Sequence, residues 1–234
     1  DGIIQHVSVF GEEGLPRDLG STGIVISNNT IHSQPRGIFF MNILKGSIAN
    51  NRFYVNLPVG GYRGMAILQS DLHNPIDGVH INIIGNEVVQ LTGPVETPMD
   101  HIAAIDLGGR GDGDTYNIIN NMIVGVELSA TTPTITKGLA GIRYRRASDA
   151  TLNIFHNSIH LVRADVDYWG LEPSNCFGIG FTETMYHGQA VILNNIIKID
   201  QPEGSAICVP GSVAEIYSQQ NVFSLIESAS RGYF

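Results

Sequence analysis

YNIINNMI, residues 116–123, runs from a short apolar strand into an Asn-Asn pair and back into apolar residues. Six further segments repeat this pattern: IVISNNTI (24–31), GSIANNRF (46–53), INIIGNEV (81–88), LNIFHNSI (152–159), AVILNNII (190–197) and IYSQQNVF (216–223). Aligned on the last Asn, they share the column Asn29, Asn51, Asn86, Asn121, Asn157, Asn195 and Asn221. A large apolar residue always stands two positions later, and Ile stands three positions earlier in six of the seven. Columns that stay in phase over this distance indicate a repeat protein.

The spacing of these asparagines indicates a solenoid. Successive intervals are 22, 35, 35, 36, 38 and 26 residues, so a constant unit alternates with inserts of variable length. Within each unit, Ile, Val and Phe alternate with polar or small residues, which is typical of a half-buried strand. Asn tolerates the left-handed backbone conformation well, so the pair predicts a sharp bend between two strands, with asparagines of successive units stacked.

A second column of small residues followed by apolar ones lies between the Asn segments. Its predicted members are Gly37-Ile-Phe-Phe, Gly64-Met-Ala-Ile, Ala104-Ile-Asp-Leu, Gly141-Ile-Arg-Tyr, Gly178-Ile-Gly-Phe and Ala206-Ile-Cys-Val. Each coil is therefore predicted to contain a Gly-Ile strand, a turn, a second strand, the Asn bend, a third strand and a closing loop. The unbroken repeat favours one domain over residues 1–234.

These columns resemble the right-handed parallel β-helix of the pectate-lyase-like superfamily, and the resemblance covers roughly residues 2–234. It implies an all-β solenoid of about seven coils with a buried Asn ladder. It also implies a secreted, periplasmic or cell-surface protein whose long loops and Gly-Ile sheet build a cleft for polysaccharide. Many unrelated activities use this scaffold, so the resemblance indicates the fold more strongly than the function. The paired-Asp and Gly-His-Gly signatures of the polygalacturonase branch are missing, as are those of the lyase branch.

Composition narrows the classes of partner. Apolar residues make up 43% of the chain and charged residues 15%, which fits a coil interior filled by aliphatic side chains. A net charge of −9 argues against nucleic-acid binding, which needs clustered Lys and Arg. No apolar run is long enough to predict a membrane span.

Two cysteines and the chain ends give further expectations. Cys176 precedes its Gly column by two residues and Cys208 follows it by two, so the thiols are predicted to be too far apart for a disulfide. Gly232 and Tyr233 fall where the next Gly-Ile strand is expected. We therefore expect this chain to be a fragment of a longer polypeptide, or a mature piece whose signal was removed.

The long closing loops are the predicted place for substrate binding, because loops on a rigid scaffold concentrate binding residues. They span 54–63, 89–103, 124–140 and 160–177. Tyr62, Tyr168 and Trp169 lie in them and can stack on sugar rings, with coverage of the apolar flank of the coil as the alternative.

The densest polar patch is predicted on the outer face of the Gly-Ile sheet. Asp106 and Arg143 are expected to face each other on adjacent strands, and Arg145 projects two residues further on. The following turn adds Arg110, Asp112 and Asp114, and His101 is the strongest general-base candidate among the loop histidines.

Three interpretations of this patch stay open. Arg143 or Arg145 could remove a proton next to a sugar carboxylate while Asp106, Asp112 and Asp114 hold Ca²⁺. Two of the carboxylates could instead serve a glycoside hydrolase. The third interpretation is a structural cross-strand ion pair beside a turn.

Two functions are therefore carried forward. The first is a secreted or surface protein that binds polysaccharide along the Gly-Ile sheet and, in its catalytic version, cleaves it as a lyase or hydrolase. The second is a non-catalytic structural or adhesive stalk. Uneven long loops favour the first, because a spacer needs only short and similar ones.

Overall fold

The computed structural model describes residues 3–4, 7–10, 22–33, 36–41, 43–56, 63–69, 77–92, 101–108, 111–126, 139–145, 149–162, 176–181, 188–200, 204–209, 215–225 and 230–233. Every regular element among them is a strand: β1 (Ile3–Ile4), β2 (Val7–Phe10), β3 (Ile24–Ser27), β4 (Thr30–Ser33), β5 (Arg36–Met41), β6 (Lys45–Ala49), β7 (Arg52–Asn56), β8 (Arg63–Gln69), β9 (His80–Ile84), β10 (Glu87–Thr92), β11 (His101–Leu107), β12 (Thr115–Ile119), β13 (Met122–Val126), β14 (Leu139–Tyr144), β15 (Thr151–Phe155), β16 (Ser158–Leu161), β17 (Cys176–Phe181), β18 (Gln189–Leu193), β19 (Ile196–Ile199), β20 (Ser205–Cys208), β21 (Glu215–Gln219), β22 (Val222–Leu225) and β23 (Ser230–Tyr233). Within these residues, no helix is long and apolar enough to cross a membrane.

The strands form three parallel sheets, each of which takes every third strand. The Gly-Ile sheet has the order β2-β5-β8-β11-β14-β17-β20-β23, the middle sheet runs from β3 to β21, and the third sheet runs from β1 to β22. One strand of each sheet makes one coil, so the described strands from β2 to β22 complete seven coils. The predicted parallel β-helix of about seven coils is confirmed.

The predicted Asn stack is also confirmed, and we call it the inner ladder. Each Nδ2 donates to the Oδ1 of the next asparagine over 2.9–3.1 Å, from Asn29 through to Asn221. Each backbone N–H also donates to that Oδ1, and from Asn51 onward each Nδ2 donates to an Ile carbonyl of the preceding coil. The buried amides of the central coils thus use all their hydrogen-bonding groups, as buried amides must.

The residue before each ladder asparagine makes the bend. Asn28, Asn50, Asn120, His156, Asn194 and Gln220 all have φ between 55° and 59°, and Gly85 has φ 66°. This is the left-handed region, which Asn and Gly tolerate best. His156 takes the place of the first Asn of its pair, as the sequence pattern predicts.

The small-residue column is confirmed with one correction, in the second coil. Ile38 pairs with Ile67, and Ile67 pairs with Ile105, so Ala66 and not Gly64 occupies that column. Its members must be small because the large residue two positions after each ladder Asn packs against them. A Cβ at Gly141 would lie 2.5 Å from Cγ2 of Ile159, and the same clash arises between Gly178 and Ile197.

The cysteine register agrees with the prediction. Ile179 pairs with Ile207, which places Cys176 and Cys208 four positions apart along adjacent strands. Cys208 is a buried thiol, and burial raises its pKa. Its surroundings are the apolar side chains of Ala103, Ala140 and Phe177 on the outer face of the Gly-Ile sheet.

Candidate functional site

The predicted contact between Asp106 and Arg143 is present. Strands β11 and β14 place the two residues opposite each other. Nη2 of Arg143 donates to Oδ2 of Asp106 over 2.7 Å, and its Nε donates to Oδ1 over 3.2 Å. Arg145 follows β14 and adds a third bond from Nε to Oδ1 over 2.8 Å. The structure thus brings together three of the predicted catalytic residues.

This cluster is buried in the structure. Asp106 is fully buried and Arg143 is 3% exposed. Gly108 makes room for Arg145, since an added Cβ would lie 2.8 Å from Cζ of that guanidinium. A carboxylate that accepts three guanidinium bonds out of water cannot take a substrate proton or a metal ion without breaking them. The geometry favours the structural ion-pair interpretation.

The two carboxylates proposed for calcium have different surroundings. Asp114 is fully buried, and its two oxygens accept from the backbone N–H of Val79 over 3.0 Å and from the hydroxyl of Tyr116 over 3.1 Å. Asp112 is exposed, and its backbone N–H donates to the side chain of Asp77. Among the described residues, no group of three or more His, Cys, Asp or Glu side chains could hold a metal ion.

The remaining predicted site residues are outside what the structure describes. Arg110, Tyr62, Tyr168 and Trp169 lie in undescribed segments. His101 opens β11 opposite Arg63, but its side chain is not described. Their roles in catalysis and substrate binding stay predictions.

A different polar surface lies on the outer side of the middle sheet, where β9, β12 and β15 run side by side. Their outward positions form three rows: His80, Asn82 and Ile84; Thr115, Asn117 and Ile119; Thr151, Asn153 and Phe155. We call these nine residues the amide face. His80 is exposed and the others are half-buried, while the residues between them point into the core.

The centre of the amide face is a second Asn stack, which we call the outer ladder. Nδ2 of Asn117 donates to Oδ1 of Asn82, and Nδ2 of Asn153 donates to Oδ1 of Asn117, each over 2.8 Å. Unlike those of the inner ladder, its amides make no bond to the backbone of a neighbouring coil within the described part of the chain, although Nδ2 of Asn117 also lies 3.4 Å from Nε2 of His80. Among the described residues, Nδ2 of Asn82 has no acceptor and Oδ1 of Asn153 has no donor. The outer ladder therefore keeps hydrogen-bonding capacity for a ligand or water.

Sequence reasoning did not identify the outer ladder, although its signal is present. In INIIGNEV, YNIINNMI and LNIFHNSI the second letter is Asn, four positions before the ladder asparagine in each case. That position points away from the core in a strand of this pattern. Three central coils thus place the same amide at the same point of the surface.

A histidine and a lysine flank Asp200 on the outer face of the third sheet. Oδ2 of Asp200 lies 2.7 Å from Nε2 of His160 and 2.8 Å from Nζ of Lys198. Partial burial raises the pKa of Asp200, but the hydrogen bonds and charges of Lys198 and His160 outweigh it and hold the pKa below its ordinary value. This contact ties neighbouring coils together.

No protein-family model, curated protein or solved structure matches the chain.

Proposed function

We propose that this protein is a non-catalytic β-helix that binds polysaccharide through the amide face. The supporting observation is the outer ladder, whose half-buried amides keep unused hydrogen-bonding groups at Asn82 and Asn153. Amide groups can donate to and accept from sugar hydroxyls, and the apolar edge formed by Ile84, Ile119 and Phe155 can contact the C–H face of a sugar ring. The surface thus combines the two kinds of contact that a glycan needs.

Cleavage is not part of this proposal, because Asp106 and Asp114, two of the three described carboxylates of the predicted site, are poorly placed for it. Asp106 is buried under two guanidinium groups, and Asp114 bonds to Val79 and Tyr116. A general acid or base must lie within reach of the substrate.

The resemblance to the pectate-lyase-like superfamily extends the proposal to the setting of the protein. We place the chain in that superfamily and at the cell surface or outside the cell, where polysaccharides are encountered. The closing loops, with Tyr62, Tyr168 and Trp169, are then the second surface on which glycan binding depends.

Affinity electrophoresis against neutral and acidic polysaccharides tests this proposal. Retardation by at least one polysaccharide is expected, and the double variant Asn82→Ala/Asn153→Ala should reduce it. Asn56→Ala is the matched control, because Asn56 is an exposed asparagine that bonds to Gln90 of the adjacent coil on the third sheet. Absence of retardation by every polysaccharide contradicts the proposal.

Two companion measurements locate the binding surface and check for catalysis. If Tyr168→Ala and Trp169→Ala abolish retardation while Asn82→Ala/Asn153→Ala does not, the glycan binds to the loops and not to the amide face. Unsaturated products or new reducing ends, measured with and without Ca²⁺, would restore the enzymatic interpretation.

A structural or adhesive stalk is the second candidate. The inner ladder supports it, because an unbroken chain of amide bonds joins all seven coils into one rigid element. This candidate predicts no affinity for any polysaccharide, so the same electrophoresis separates the two functions.

A further inference from the structure

We infer that the amide face takes a neutral, extended glycan that runs along the solenoid axis with one sugar residue per coil. This inference rests on the proposed function and specifies its ligand. Three observations support it: the charge of the nine residues, the direction of the outer ladder and the positions at which the ladder ends.

The charge of the surface selects a neutral ligand. None of the nine residues is Lys, Arg, Asp or Glu, and the whole chain carries a net charge of −9. An acidic polymer would meet repulsion from the protein, and none of the nine residues is a cation that offsets it; the neighbouring cation along the axis is Lys45, the register partner of His80 on β6. A neutral glycan needs only hydrogen bonds and apolar contact, and the face offers both.

The direction of the ladder sets the direction of the glycan. Asn82, Asn117 and Asn153 are register partners on adjacent strands, so identical amides recur every ~4.8 Å along the axis. A polymer of identical units that lies along the axis meets the same amide at every coil. A polymer lying along one strand would instead meet an imidazole, an amide and an apolar side chain in succession, as at His80, Asn82 and Ile84.

The extent of the ladder limits the number of sugars. Ser47 pairs with Asn82 on one side, and Val191 pairs with Asn153 on the other, so the amide column ends at both places. Three coils carry the repeated amide, and three sugar residues are expected to fill it. Free donors at the Asn82 end and a free acceptor at the Asn153 end give the site a polarity, which fixes the direction of the bound chain.

Calorimetric titration with neutral oligosaccharides tests this inference. The probes are β-1,4-linked gluco- and manno-oligosaccharides from monosaccharide to hexasaccharide, with oligogalacturonates of equal length as the acidic comparison. Affinity for the better neutral series should rise to the trisaccharide and then level off. Asn117→Ala should weaken trisaccharide binding by roughly fivefold, the loss of about one hydrogen bond.

A gain-of-function variant gives an independent readout. Val191→Asn adds an amide in the next coil, so it should move the plateau from trisaccharide to tetrasaccharide, while Asn56→Ala should leave it unchanged. The inference is wrong, and the proposed function stands, if the protein is retarded by a polysaccharide but the calorimetric affinity gives any of three results. These are an affinity that does not change with oligosaccharide length, a higher affinity for oligogalacturonate, or an affinity that neither Asn117→Ala nor Val191→Asn changes. Failure to bind any glycan overturns both.

Discussion

Asn86 donates through Nδ2 to Oδ1 of Asn121 over 3.0 Å, although 35 residues of chain separate them. The same Oδ1 accepts from the backbone N–H of Asn86, and Nδ2 of Asn121 donates to the carbonyl of Ile83. One side chain thus satisfies several buried groups of the preceding coil.

Asn121→Ala is therefore expected to destabilise the protein strongly. It leaves the N–H of Asn86 and the carbonyl of Ile83 buried without these partners, which costs on the order of 3 kcal/mol. Urea unfolding followed by circular dichroism measures the loss. Asn117→Ala is the control, since Asn117 belongs to the half-buried outer ladder, and equal losses in the two variants would contradict the distinction between the ladders.

The bend residues should respond to substitution by backbone preference. His156 has φ 57° and is exposed, so its side chain contributes little packing. His156→Asn should raise the free energy of unfolding slightly or leave it unchanged, whereas His156→Val should lower it by about 1–2 kcal/mol because a β-branched residue is strained there. Thermal unfolding of the two variants tests whether His156→Asn is more stable than His156→Val. Equal stability of the two variants would argue against a left-handed bend at this position.

Most of the fold could be predicted because the Asn column fixes the register of every coil. The wrong assignment of Gly64 shows that the Asn column does not fix the position of the small residue within a coil. Gly64 and Ala66 are both small and stand two positions apart, so the pattern within the second coil cannot distinguish them. Only the pairing of Ile67 with Ile38 and Ile105 decides it.

The candidate site could be predicted only in part. Register alone placed Asp106 beside Arg143, but the burial of the pair depends on what covers the sheet, which no local pattern encodes. The outer ladder was overlooked for the opposite reason. Asn82, Asn117 and Asn153 look like ordinary outward-facing polar residues until the register aligns their amides.

The buried ion cluster predicts a non-additive mutational effect. Asp106→Asn should cost about 3–5 kcal/mol, because it removes the charge that compensates two guanidinium groups. Asp106→Leu combined with Arg143→Met should cost less than the sum of the single changes. Chemical unfolding of the double-mutant cycle measures the coupling.

The surface pair between Arg52 and Glu87 is the matched control for this cycle. It also joins adjacent coils, over 2.9 Å, but its side chains are 50% and 28% exposed. Its coupling should be about 0.2–1 kcal/mol. If the coupling free energy between Asp106 and Arg143 is no larger than this, the buried cluster does not have the structural role proposed for it.

The Cys208 thiol should react slowly in the folded protein. It is 8% exposed, and burial raises its pKa, so the thiolate that attacks an alkylating reagent is scarce and shielded. Peptide mass spectrometry after timed treatment with iodoacetamide should show little modification of Cys208 in buffer and rapid modification in urea. Similar rates in both conditions would show that this outer face of the Gly-Ile sheet is open.

Acid should weaken the contact between neighbouring coils at Asp200. Its pKa is held below the ordinary value of 3.8, since the contacts with Lys198 and His160 together outweigh the opposing effect of burial. A carboxylate whose pKa is lowered in the folded state stabilises that state above pH 3.8, and this contribution is lost as the pH falls through the folded-state pKa.

Asp200→Asn should therefore destabilise the protein near neutral pH and match the wild type more closely in strong acid. Urea unfolding at a series of pH values measures the difference, and Lys198→Gln should reduce it because one of the favourable contacts is gone. A wild-type-minus-variant difference that stays constant through the acid range would mean that the charge of Asp200 does not stabilise the folded coil.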